Sequence, residues 1–121
     1  MDLFQQRVEL LTRTYDAWNR RDIDAVLRHL DDDVKWPNQM EMTTARGHRA
    51  VRAYWEKQFK VIDPIVEPLR FTELGEVIVV DVHQVVRDLD GAVLVESQVG
   101  QSFAFRGAKV RSMQVRSPIG G

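Results

Sequence analysis

The sequence contains no cysteine. That excludes disulfides, thiolate nucleophiles and every zinc site built on sulfur. No aliphatic run is longer than Val77-Ile78-Val79-Val80, against the ~20 apolar residues that span a bilayer. A surplus of either charge is missing too, because 17 Lys+Arg face 18 Asp+Glu. A nucleic acid needs cationic excess along its phosphates, so it is excluded as the main partner. Asp2, Arg7 and Glu9 stand where a signal peptide would need an apolar stretch. The expected setting is therefore the cytoplasm, with no membrane contact. What is present is 121 residues, 44% hydrophobic and 29% charged. That length and apolar content suit one globular domain spanning 1–121, with its own core.

Phe4, Val8, Leu11, Tyr15 and Trp18 recur at helical spacing and predict an amphipathic first helix. Asp22 follows the Asn19-Arg20-Arg21 break and predicts the cap of a short second helix carrying Ile23, Val26, Leu27 and Leu30. A third helix reads from about His48 to Phe59, with Val51, Tyr54, Trp55, Gln58 and Phe59 on one side and Gly47 as its cap. After Pro64 the period becomes two. Val77 to Asp88, Val93 to Phe105 and Val110 to Arg116 predict an antiparallel meander, turning at Asp90-Gly91 and Arg106-Gly107. Val66 to Leu74 is a fourth strand, and Pro68 confines itself to an edge or a bulge. Val34 to Trp36 is a short strand between the second and third helices. The expected class is α+β, with three N-terminal helices packed on a curved antiparallel sheet and a pocket between the layers.

The standard chemical signatures are missing. There is no GxGxxG, Walker loop, HExxH or GxSxG, and no cofactor is expected. Asp31-Asp32-Asp33 has neither the alternate acids nor the glycine of a calcium loop. It reads as a solvated turn after the second helix, and no metal is expected.

Three segments carry a resemblance: Asn19-Arg20-Arg21-Asp22-Ile23-Asp24-Ala25-Val26, Asp32-Asp33-Val34, and Arg46-Gly47-His48-Arg49-Ala50-Val51-Arg52. Together with Phe103-Ala104-Phe105-Arg106-Gly107-Ala108-Lys109-Val110, they are similar to the nuclear transport factor 2-like superfamily. Within it, the chain resembles the SnoaL-like branch, which is akin to ketosteroid isomerases and polyketide cyclases. The resemblance implies a cone-shaped, cystatin-like architecture and dimers formed through the sheet. It does not imply one activity, because the fold hosts many. Ketosteroid isomerase uses an aspartate base with a tyrosine and a protonated aspartic acid as oxyanion hole. Set against that pattern, the base falls on Asn38, the tyrosine on Thr14, the acid on Gln101 and a supporting tyrosine on Trp55. All four depart from it, so isomerisation by that mechanism is not expected.

The ligand-pocket candidates are Trp36, Asn38, Trp55, Gln84, Gln101 and Phe103. Trp36 and Asn38 flank a proline on an extended segment and would face the same side. Asn38 has an alternative as a turn residue bonding its own backbone. On 93–105 the odd positions are the apolar set, which turns Gln101 and Phe103 inward. On 77–88 the even positions play that part, so Gln84 points inward and His83 outward, unless a bulge exchanges the faces. The catalytic candidates are His83, Tyr15 and Glu41. His83 would be the acid–base group if it faced inward. Tyr15 reads first as core with a satisfied hydroxyl, and Glu41 lies in a segment that could cover the pocket mouth. His29 and His48 read as helix-surface residues. Two functions follow. One is an enzyme of isomerase, cyclase or dehydratase type acting on a small apolar or weakly polar molecule. The other is a non-catalytic ligand-binding or scaffold module with a neutral cavity. The discriminator is whether a titratable side chain enters that cavity. The outward sheet face, with Val77, Val79, Val85, Leu94 and Ala104, is expected to pair two copies of the chain.

Overall fold

The architecture comes from a computed structural model that describes residues 2–120. Helix α1 (Leu3–Asn19) starts where the Asp2 carboxylate accepts the Gln5 amide at 2.8 Å, satisfying one of the free donors of its first turn. Helix α2 (Ile23–Arg28) is capped by Asp22, whose side chain accepts the Ala25 amide at 3.2 Å. Between them Arg21 adopts φ +64°, a left-handed turn that reverses the chain in a few residues.

Strand β1 (Leu30–Asn38) follows at once and pairs antiparallel with β2 (Thr43–Arg46). Asp31, Asp32 and Asp33 therefore lie in a strand, not in the expected turn. The charges are accommodated because Asp33 receives a bidentate pair from Arg46 at 2.8 Å and Asp31 faces Arg106 at 3.3 Å. The short strand expected at 34–36 is correspondingly longer, and β2 had no forecast. Helix α3 (Gly47–Phe59) thus comes after two strands, which corrects the expectation of three helices ahead of the sheet. Gly47 opens α3 itself at φ +85°, while Arg46 occupies the cap position without a capping bond. The Arg46 guanidinium has no acceptor to offer the free amides of the first turn and pairs with Asp33.

The remaining strands are β3 (Asp63–Leu74), β4 (Val77–Arg87), β5 (Val93–Arg106) and β6 (Lys109–Arg116). The curved, unclosed sheet has the order β2-β1-β6-β5-β4-β3. All pairs are antiparallel except β1–β6, which is parallel. That one parallel pair sets the N-terminal strand beside the C-terminal one and brings Trp36 to the same face as Phe103. Pro68 sits on edge strand β3 where the register shifts between Pro68 and Arg70, as a residue without an amide proton requires.

Helices α1 and α3 and the inner sheet face enclose Leu11, Val26, Leu30, Val34, Val51, Trp55, Val80, Val82, Phe103 and Val110, all essentially inaccessible. The outer face is less open than expected. The segment after β6 runs across it, and both oxygens of the buried Asp81 accept amides from Ile119 and Gly120 at 2.8 Å. Gly100 makes the crossing possible, since a Cβ there would stand 2.7 Å from the Ser117 carbonyl. Val79, expected on an open face, is fully buried.

Candidate functional site

Between the helices and the inner sheet face lies a cavity of about 250 Å³, just below the usual range for ligand pockets. Each wall follows from a local pattern. The α1 stripe supplies Thr14, Tyr15 and Trp18, and α3 supplies Tyr54, Trp55 and Gln58 from one helical face. Trp36 and Pro37 enter from β1, and Gln84, Gln101, Phe103 and Met113 from the sheet. Trp36 is the hinge of the aromatic lining, edge-on to Trp55 at 5.3 Å and to Phe103 at 6.2 Å. Tyr15 meets the edge of Phe103 at 6.0 Å.

The polar groups of the lining are neutral. The Tyr15 hydroxyl donates to Gln101 Oε1 at 2.6 Å, and burial pushes its pKa well above the ordinary tyrosine value. The Tyr54 hydroxyl accepts the Gln39 amide at 3.2 Å and Gln58 Nε2 at 3.4 Å. Its pKa is raised by burial, a shift the Gln39 amide partly opposes. Gln84 Nε2 donates to Ser97 Oγ at 3.2 Å. Among the described residues, the lining holds no Asp, Glu, His, Lys or Arg.

Of the six residues expected in the pocket, the structure brings five together: Trp36, Trp55, Gln84, Gln101 and Phe103. Asn38 takes its other course. Its Oδ1 accepts the amides of Met40 at 3.1 Å and Glu41 at 3.0 Å, closing the β1–β2 turn outside the lining. The catalytic candidates separate. Tyr15 lines the cavity; His83 lies outside it, with Nε2 2.8 Å from Glu96 on the outer face. Glu41 is exposed on the turn, 3.6 Å from Lys57 Nζ. Tyr54, Gln58 and Gln39 were not foreseen as pocket residues. The four-residue spacing of Tyr54 and Gln58 was a signal for the first two, whereas nothing in the sequence aims Gln39.

His29 is also not the surface residue expected. It is half-buried with Nδ1 2.7 Å from Thr14 Oγ1, and the same hydroxyl stands 2.7 Å from the Leu10 carbonyl. Its pKa is lowered by burial first, then by Arg13 and Arg28. A histidine whose folded pKa lies below its unfolded value of about 6.5 binds fewer protons folded than unfolded. Its contribution to stability is then present above about pH 6.5 and is lost as the pH falls from there through the folded pKa. Denaturant unfolding between pH 7 and 5 should show that decline, and His29→Gln should flatten it relative to the parent. Parallel profiles would contradict the assignment.

The description "SnoaL-like domain" matches residues 11–114. Three solved structures superpose closely. TerC, co-crystallised with polyporic acid, is 23% identical, with TM-score 0.81 over 93% of this chain and 92% of that one. An NTF2-like protein of unknown function from Burkholderia pseudomallei is 23% identical, with TM-score 0.82 over 98% and 92%. A protein of ketosteroid isomerase-like fold from Catenulispora acidiphila, in complex with trimethylamine, is 14% identical, with TM-score 0.74 over 92% and 86%. At these identities the likeness concerns the fold. No functionally curated protein matches the sequence. No helix among the described residues is long and apolar enough to cross a membrane.

Proposed function

The chain belongs to the SnoaL-like domain family, and from that membership we propose that it is a pocket protein for a small, neutral, mostly apolar molecule. One observation carries the reading: a cavity walled by indoles, phenol rings and aliphatic groups whose polar members are amides and hydroxyls. An anionic ligand would have to shed water there with no cation to receive it, which costs several kcal/mol. General acid–base turnover would need a group that titrates near neutrality. The two lining tyrosines, with pKa values raised by burial, are far from that range. The site is built to hold and orient a molecule, and the proposal is binding rather than proton transfer. A thermal-shift comparison tests it. Naphthalene should raise the unfolding temperature with concentration, since it binds the folded state alone, and 2-naphthoate should not. A naphthoate shift equal to or larger than that of naphthalene would sink the reading.

The proposal includes a homodimer through the outer sheet face. Val85 is half-buried and Leu94 exposed on that face, leaving apolar surface that a twofold partner would cover. Val79 and the rows under the C-terminal segment are not available to it. Sedimentation should give twice the chain mass of 14.0 kDa. A monomer at micromolar concentration would rule the dimer out.

A further inference from the structure

A second recess lies against the first. An open hollow of about 440 Å³ sits on the outer side of the β1–β6 seam, within the usual volume range for ligand sites. Trp36 and Met113 border both recesses, so these two side chains divide the neutral cavity from the hollow. Strand alternation supplies the contrast between them. Val34 is buried and Trp36 meets Trp55 inside, while Asp33 and Lys35 face out. β1 meets β6 at Leu30–Val110 and again at Lys35–Ser112, with a register shift between, and this irregular seam leaves room for the hollow.

The hollow gathers cations in a chain whose formal charge is −1. Lys35, Arg46, Arg106 and Arg111 line it, against Asp33 in the lining and Asp31 beside Arg106. Two positive charges are therefore in surplus. Arg46 gives Nε and Nη2 to Asp33, which leaves Nη1. Arg106 gives Nη1 to Asp31 at 3.3 Å, which leaves Nε and Nη2. Lys35 and Arg111 have no hydrogen-bond or ion-pair partner among the described residues. The Asp33 carboxyl is held below its ordinary value by the Arg46 hydrogen bond first, and by the charges of Arg46, Arg106 and Lys35 besides. Three of the four cations thus act on one point.

We propose that this hollow binds a phosphate dianion, free or carried on a small molecule, with Lys35 and Arg111 as its principal donors. A dianion matches the surplus of two charges, and guanidinium edges meet phosphate oxygens in pairs. The Thr44 and Ser112 hydroxyls in the lining add further donors. Asp31-Asp32-Asp33 along β1 restricts the ligand to a compact one, because an extended polyanion would have to pass three carboxylates. The site goes beyond the pocket reading and does not depend on it.

Calorimetric titration at pH 8 and low salt tests this, since a phosphomonoester is then a dianion and screening is weak. The probes are inorganic phosphate, phenyl phosphate, acetate and a hexaglutamate peptide. Both phosphates should bind saturably and at least about tenfold tighter than acetate, which carries a single charge. Lys35→Ala and Arg111→Ala should each weaken phosphate about five- to tenfold. Lys60→Ala removes an equal charge from the exposed end of α3 and should change the affinity less than about twofold. Tighter binding of phenyl phosphate than of inorganic phosphate supports an ester packed on Trp36 and Pro37, and equal or weaker binding supports free phosphate. No saturable phosphate binding, acetate binding as tightly as phosphate, or an equal loss in all three variants would overturn the proposal. Hexaglutamate binding tighter than either phosphate would overturn it too, by reassigning the surface to an acidic protein.

Discussion

Trp55→Ala is expected to lower the unfolding free energy by about 3–5 kcal/mol. The indole is 1% exposed and stands edge-on to Trp36 at 5.3 Å. Truncation removes a large buried apolar surface and leaves a void beside an existing cavity, whose rigid aromatic neighbours restrict collapse into it. The added space would also merge with the pocket, so the variant should lose ligand affinity with its stability. Urea unfolding measures the effect. A loss below about 1 kcal/mol would mean that α3 does not present this face to the sheet.

Arg21→Ala is expected to cost about 2–3 kcal/mol. Its guanidinium donates to Asp63 at 2.5 Å and to the Pro64 carbonyl at 2.7 Å. It also lies 4.2 Å from the centre of the Phe59 ring and 5.2 Å from Trp18. One side chain thus ties the α1–α2 corner to the start of β3 and the end of α3. The Asp63 contact is half exposed and contributes the lesser share, because solvent screens it. The carbonyl bond and the ring contacts carry the rest. The backbone provides a control, since φ is +64° at this position. Arg21→Gly loses the same side chain but relieves left-handed strain, and should be about 1 kcal/mol more stable than Arg21→Ala. Equal stabilities for the parent and the alanine variant would show that the guanidinium contacts contribute nothing.

The four strands β3 to β6 were legible in the sequence because strand alternation is a local property. Gln84 and Gln101 were placed inward by parity alone, and the register breaks that could have reversed them fall at Val86/Arg87 and Ala104/Phe105, beyond both. The same argument failed for Asn38, because β1 ends there and the side chain closes a turn instead. The aspartate run misled for a different reason. Three consecutive acids lack strand propensity, and only the distant Arg46 and Arg106 show why they tolerate one. The polar circuit through Tyr54 depends on Gln39, delivered by the β1–β2 turn, and no periodicity encodes that approach. The outer face was misjudged because the crossing segment depends on contacts between Asp81 and residues almost forty positions later.

The central claim is a cavity whose recognition groups do not titrate near neutrality, and the pH profile of binding tests it most directly. Calorimetric titration of naphthalene at pH 5, 6, 7 and 8, with the parent and with His83→Gln, should give a flat affinity for both proteins, because no lining group exchanges a proton in that range. A change of about tenfold, or ~1.4 kcal/mol, that disappears in His83→Gln would place the imidazole in the binding site and contradict the account.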